Sequence, residues 1–184
     1  MSEGRLTQPV SESDHVAGPD DAPITLVEYG DFECPFCGMA YPIVKAAQRK
    51  LGPRLRLVYR HFPLKQSHPH ALHAAEASES AATQGRFWEM HGVLFENQHA
   101  LEDADLVRYA KAIGIDADRV AAELEAGTWT RRVRDDFRNG VKSGVNGTPT
   151  FFVNGDRYDG IWTDEGAFIS TLRAFAESQP APRA

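Results

Sequence analysis

The sequence predicts a mixed α/β domain interrupted by an all-helical block, and three observations carry that reading. Two β-rich runs, Ile24-Thr25-Leu26-Val27-Glu28-Tyr29 and Leu55-Arg56-Leu57-Val58-Tyr59-Arg60-His61-Phe62, flank a single helical stretch. A helix crossing over between two such strands makes them parallel. From about His70 to Lys142 the texture is helical throughout. Strand character returns only at Thr150-Phe151-Phe152-Val153, where Asn154-Gly155 signals a two-residue hairpin that adds antiparallel strands to the sheet.

In chain order, residues 1–22 are rich in Ser, Glu, Asp, Gly and Pro with few apolar anchors, which predicts a flexible lead-in. Within it His15-Val16-Ala17 is a candidate edge strand. Pro23 and Gly30 bound the first core strand. The two cysteines follow, then a helix from Met39 that Gly52-Pro53 stops after Leu51 and that Pro42 is expected to kink. The second strand ends at Pro63. Ala71 to Ala77 opens an Ala-rich helix running toward Gly85, and Phe87 to Phe95 is apolar at helical spacing. Asp103 to Ile113 and Asp116 to Glu125 are amphipathic with acidic starts, which suits a helix dipole. Thr128 to Val141 carries charge on its outer face. Arg157-Tyr158 is the second hairpin strand, Glu165 to Ser178 closes the chain as a helix, and residues 179–184 are expected to fray. The organisation is thus one α/β unit, 23–66 and 143–178, with 67–142 inserted as a helical domain.

Bulk properties remove several function classes. A chain of 184 residues with 42% hydrophobic content fits one domain with a sizeable core. The net charge of −6 offers no basic surface, and Arg131-Arg132-Val133-Arg134 is followed at once by Asp135-Asp136, so no nucleic-acid partner is expected. No run approaches the roughly 18 apolar residues of a membrane span, so no membrane partner is expected. Met1 to Asp21 lacks a charged-then-apolar layout, so the chain as it stands reads as cytoplasmic. A single cysteine pair cannot build a disulfide framework.

That pair, Cys34-Pro35-Phe36-Cys37, is the most informative feature. It follows a strand and opens a helix, where unpaired N–H groups and the helix dipole lower a thiol's pKa. The sulfurs lie about one turn apart and can close a small, easily reduced ring. Cys34, at the helix start, is expected to be the attacking thiolate. Cys37, a turn further in and more buried, is expected to keep a higher pKa and resolve the mixed disulfide. Pro35 suits the first helical turn, where a missing N–H costs nothing. The competing reading is half of a zinc site completed by His68, His70 or His73; the strand–CxxC–helix setting disfavours it, and neither a metal nor any other cofactor is expected.

Cys34-Pro35-Phe36-Cys37 after a core strand, a helical insertion, then Gly147-Thr148-Pro149-Thr150 leading into a hairpin, resembles a DsbA-like thioredoxin-fold protein. The resemblance runs from about Ile24 to the last helix, and the two motifs stand 149 − 34 = 115 positions apart. It implies a thioredoxin-like mixed sheet with an all-helical insertion and a thiol:disulfide oxidoreductase acting on protein thiols and disulfides. It further implies that Pro149 is cis and faces the cysteines, which would expose the backbone of Thr148 for strand-like pairing with a substrate peptide. Glu28 stands six positions before Cys34 in an apolar strand, where an unpaired carboxylate is costly. By resemblance it is the buried acid beneath Cys37, exchanging a proton as that thiol ionises; an exposed face of an edge strand is the alternative.

The sequence departs from the family pattern in one respect. The lysine that often partners the buried acid is missing, since Leu55 to Phe62 offers only Arg56 and Arg60. Phe36 and Phe32 are read as exposed apolar contacts for substrate. His68-Pro69-His70 is read as a loop and helix cap, and Phe87-Trp88-Glu89-Met90-His91 as insertion core. A glutathione-dependent enzyme of this fold usually carries serine at the first cysteine's position, and a non-catalytic or metal-holding module is a further alternative. No added dimerisation segment is present, which favours a monomer. The Pro-Phe dipeptide adds no charge beside Cys34, which suggests an intermediate redox potential.

Overall fold

The computed structural model describes residues 4–177, so the tail at 179–184 lies outside the described residues. Five strands, β1 (His15–Ala17), β2 (Ile24–Gly30), β3 (Leu55–His61), β4 (Thr150–Val153) and β5 (Asp156–Tyr158), form one sheet in the order β1-β3-β2-β4-β5. β2 and β3 are parallel and in register from Ile24↔Leu55 to Gly30↔His61, as their crossover helix α1 (Pro35–Leu51) requires. β4 runs antiparallel to β2, pairing Glu28 with Phe151, and β5 folds back on it through Asn154-Gly155, both at positive φ.

Between β3 and β4 lie five helices: α2 (Ala71–Ala82), α3 (Phe87–Glu96), α4 (Asp103–Ala112), α5 (Ala117–Ala126) and α6 (Thr130–Lys142). A closing helix, α7 (Glu165–Glu177), packs with α1. This is a thioredoxin-like α/β fold with an inserted helical block.

Because β2 is central, its alternating side chains are buried on both faces. Ile24 and Leu26 join Leu57, Phe151 and Val153 against Val44 and Ala47 of α1 and Phe168 and Leu172 of α7. Val27 and Tyr29 join Val58 and Phe152 on the other face, with Phe137 of α6 packed on. The insertion builds its own core from Met90, Leu94, Leu106, Val120 and Val133. That core also takes in Phe32, Cys34, Cys37 and Tyr59, so the cysteines sit where insertion and sheet meet.

The helix begins at Pro35, with Cys34 as its N-cap, as expected of a cysteine pair that opens a helix, because Pro35's fixed φ starts the first turn. One feature differs from the sequence reading: the described part of the lead-in is tied down rather than free. Leu6 N–H donates to Gly155 O (2.9 Å) and Thr7 N–H to Ser143 Oγ (3.0 Å). Arg60, 1% exposed, donates Nε and Nη2 to the two oxygens of Asp14 (2.7 and 2.9 Å), and to the carbonyls of Gln8 and Pro9 (both 3.1 Å). A guanidinium buried in the sheet face requires partners, and the N-terminal segment supplies them.

Candidate functional site

The site grows from the β2–α1 junction. Asp31, 2% exposed, fixes the turn: its Oδ1 accepts from Glu33 N–H (2.8 Å), and its carbonyl accepts from Cys34 N–H (3.1 Å). Its Oδ2 reaches across to the loop after β3, accepting from Leu64 N–H (2.8 Å) and pairing with His68 Nδ1 (2.7 Å). Glu33 adds a second tie by accepting from His70 N–H (2.7 Å).

Cys34, at the N-cap, is 3% exposed and a free thiol, as is Cys37. Its S–H donates to the carbonyl of Thr148 at 3.4 Å, across 114 positions of sequence. Its pKa is lowered to about 5. The hydrogen bond from Cys37 contributes most, partial burial opposes it, and Thr148 with the N–H groups of Cys37 and Phe36 adds to the lowering. Those N–H groups do not close a cap hydrogen bond on the neutral thiol, so their effect is felt by the anion. Cys37, fully buried, is driven the other way, by desolvation first, then by its bond to Cys34 and the charge of Glu28. One sulfur is poised as an anion, and its neighbour holds its proton.

Glu28 is 2% exposed in the middle of the central strand. Burial pushes its carboxyl up to about 8, and its Oε1 has no hydrogen-bond partner among the described residues. The alternative of an exposed edge strand is thereby overturned. Neither arginine of β3 reaches it. Strand alternation points Arg60 to the opposite face with Asp14, and Arg56 turns to Asp20 (3.2 Å). Tyr59 occupies the register position opposite Glu28.

Thr148 and Pro149 are half-buried, and the peptide bond between them is cis. Thr148 Oγ1 is buried with no hydrogen-bond partner among the described residues. Thr150 Oγ1 donates to Gly147 O (2.8 Å), closing the loop that delivers Thr148 to the sulfur. Pro35 and Phe36 lie on the surface, with Phe36 59% exposed and Met39, one turn on, 54%. Phe32 corrects an expectation. It is 1% exposed, stacked on Tyr59 (5.3 Å between centroids) and packed against Phe95 (4.9 Å), because the insertion closes over it.

Cys34, Cys37, Glu28 and Thr148 therefore converge, while Pro35 and Phe36 form the rim. Sequence reasoning missed Asp31, Tyr59 and Gln98, whose Nε2 donates to the carbonyls of Phe32 (2.9 Å) and Cys34 (2.8 Å). A strand-end aspartate before the cysteines was the available signal for the first; nothing in the local pattern marks the glutamine.

The histidines proposed for a zinc site do not gather at the cysteines: His68 pairs with Asp31 and His73 with Asp103 (2.6 Å). Among the described residues, the metal-capable group is His15, His61 and Glu79, where both Nε2 atoms meet Glu79 Oε1 (2.7 and 2.8 Å). Arg132 Nε lies 3.7 Å from that same oxygen, so the carboxylate already faces a cation, and the group reads as a buried hydrogen-bonded cluster.

Comparison with known proteins agrees with this geometry. The chain is similar to the oxidised structure of BdbD from Bacillus subtilis, with 25% identity, a TM-score of 0.85, and 96% of this chain and 100% of that one covered. It is similar to a thioredoxin-like oxidoreductase from Silicibacter pomeroyi, with 26% identity, a TM-score of 0.79, and coverage of 92% and 95%. A DsbA of Wolbachia pipientis shares the fold at 18% identity, with a TM-score of 0.78 and 94% of each chain covered. Among curated proteins, the Na(+)/H(+) antiporter NhaA 1 of Salinispora arenicola is 45% identical over 186 residues. That match takes in 100% of this chain and 28% of the antiporter, so the chain spans just over a quarter of that relative's length. The thioredoxin family profile matches residues 10–168, which hold the cysteine turn, the insertion and the Thr148–Pro149 loop alike. By that match and by its fold, the chain belongs to the thioredoxin family, in the DsbA-like form with an inserted helical block.

Proposed function

We propose that this protein is a thiol:disulfide oxidoreductase that exchanges disulfides with protein substrates through a mixed disulfide on Cys34. The observation that carries the reading is the placement of the two sulfurs: Cys34 caps α1 within 3.4 Å of Thr148 O, whereas Cys37 is fully buried one turn in, an arrangement that lowers the first thiol to about 5 and raises the second. In the reducing direction the Cys34 thiolate attacks a substrate disulfide, forms an S–S bond with one sulfur and releases the other as thiolate. Cys37 then passes its proton to Glu28 in its ionised form, which becomes populated as pH approaches 8, and attacks Cys34. The second substrate thiolate leaves, and the Cys34–Cys37 disulfide remains. Oxidation of a substrate dithiol is the same sequence reversed, so the partner's potential sets the direction.

The backbone of Thr148 is the docking strand in this reading, since its carbonyl lies 3.4 Å from the reacting sulfur. Exposed Phe36 and Met39 supply an apolar rim suited to an unfolded or flexible polypeptide. Cys37→Ala tests the scheme. Incubated with a disulfide-bonded peptide, it should accumulate a covalent adduct on Cys34, visible by mass spectrometry, while Cys34→Ala forms none and loses insulin reduction. No adduct with Cys37→Ala would overturn the reading.

A further inference from the structure

Gln98 lies in the turn between α3 and α4, far from the cysteines in sequence, yet both its amide hydrogens are committed to the redox turn. Nε2 donates to Phe32 O at 2.9 Å and to Cys34 O at 2.8 Å. The arm is anchored at its own end. Asn97 Nδ2 donates to Val93 O (2.8 Å), Ala100 N–H to Asn97 O (2.9 Å), and Tyr109 Oη to Ala100 O (2.8 Å). The receiving end is shaped for it as well. Gly38, one turn into α1, presents a bare Cα where a Cβ would meet Gln98 Oε1 at 2.0 Å. The glycine and the glutamine are thus complementary, two independent features of one fit.

The two carbonyls matter because they bracket the nucleophile. A carbonyl oxygen is the negative end of its dipole, and an unfixed one beside a thiolate opposes the anion. Two amide hydrogens on those oxygens offset that field, the one on Cys34 O adding to the Gly38 N–H that the same oxygen accepts at 3.1 Å. They also hold the turn so that the N–H groups of Phe36 and Cys37 face the sulfur.

We propose that Gln98 is a positioning residue of the redox site, a clamp from the helical insertion whose grip on Phe32 and Cys34 favours the Cys34 thiolate over both the thiol and the disulfide. The inference deepens the exchange reading and rests on it. It also gives the insertion a part in the chemistry, because any displacement of the α3–α4 turn is transmitted to the sulfur through one side chain.

The test compares wild type with Gln98→Ala, Gln98→Glu, Gly38→Ala and the Gly38→Ala/Gln98→Ala pair. Thiolate absorbance at 240 nm gives the Cys34 titration, equilibration with glutathione gives the exchange constant, and thermal melting gives a separate measure of fold. Gln98→Ala should raise the Cys34 pKa and make the oxidised form a weaker oxidant by about three- to fivefold, the effect of roughly one hydrogen bond. Gln98→Glu should move both further, since an anionic oxygen replaces the donors. Gly38→Ala, although it favours a helix, should match Gln98→Ala by expelling the amide, and the pair should add nothing to either single change. Unaltered titration and exchange constants in both Gln98 variants, even with a lowered melting temperature, would reduce Gln98 to a structural contact and overturn the inference. An ordinary thiol titration in the wild-type protein would instead overturn the exchange reading itself.

Discussion

Tyr59 stands directly across the parallel ladder from Glu28, and each side chain ends in a buried oxygen with no hydrogen-bond partner among the described residues. The pair occupies the floor beneath Cys37, whose negative form would raise Tyr59, as would Glu28, after burial itself. With no lysine there, nothing cationic on β3 compensates Glu28, and its carboxyl keeps its proton to about pH 8.

That has a consequence for stability. In the unfolded chain Glu28 ionises near its ordinary value of 4.5, whereas in the fold burial holds the proton to about 8. Between those pH values the unfolded chain has lost a proton that the folded one keeps. The stabilisation is therefore full below about 4.5 and is lost as pH rises toward 8, at up to about 1.4 kcal/mol per unit. Glu28→Gln removes this dependence. Urea unfolding of the oxidised forms should show the variant equal or inferior near pH 4 and progressively superior up to pH 8. Parallel curves would place Glu28 in contact with water. The same substitution should slow exchange, because Cys37 loses its proton acceptor.

Cys37 contributes the largest share of the lowering at Cys34 through its hydrogen bond. Wild-type reduced protein should titrate at 240 nm with a midpoint near 5, and Cys37→Ala should move that midpoint up by roughly a unit. A midpoint unchanged in Cys37→Ala would leave the helix N-terminus and Thr148 as the whole cause.

Thr148 plays two parts at one sulfur. Its carbonyl accepts the S–H of the thiol, and once that proton is gone its buried hydroxyl, which has no other partner among the described residues, is the donor left to serve the anion. Thr148→Val keeps the shape and removes only the donor. The Cys34 midpoint should rise and the oxidised form should become a weaker oxidant, with thermal stability held or slightly raised because an unsatisfied hydroxyl is gone. A fall in stability with no change at the thiol would show the hydroxyl bonded elsewhere.

How much of this was legible depends on the range of the interaction. The strand at 24–30, its parallel partner and the Asn154-Gly155 hairpin follow from local pattern, and the asymmetry of Cys34 and Cys37 follows from their place at a helix start. Phe32 was misjudged because a loop has no periodicity to say which side faces water, and the residues that bury it, Tyr59 and Phe95, come from β3 and the insertion. Gln98 and His68 belong to the site only through tertiary closure, 64 positions from Cys34 and 37 from Asp31. The lead-in fails the same way. Its composition is that of a flexible segment, and only the buried Arg60, 46 positions on, turns Asp14 into an anchor.

Asp14 gives the sharpest test of that anchor. Its side chain is 4% exposed and that of Arg60 2%, so the pair is out of water; burial opposes the charge, and the hydrogen bond and charge of Arg60, the Ser11 N–H (2.8 Å) and the charge of Arg132 together outweigh it to hold Asp14 below its ordinary range. Asp14→Ala leaves the guanidinium with Tyr29 Oη (3.1 Å) and two carbonyls but no counter-charge, a loss of about 3–5 kcal/mol for a broken buried pair. Because the carboxyl is depressed, its contribution is present above the ordinary value of 3.8 and fades as pH falls through the lower, folded value. Urea unfolding at pH 7 should therefore show the full deficit, shrinking at strongly acid pH. Amide exchange in β1 should accelerate with it, since Asp14 immediately precedes that strand. A deficit below about 1 kcal/mol at pH 7 would mean that water reaches Arg60 and that the N-terminal segment is not part of the folded core.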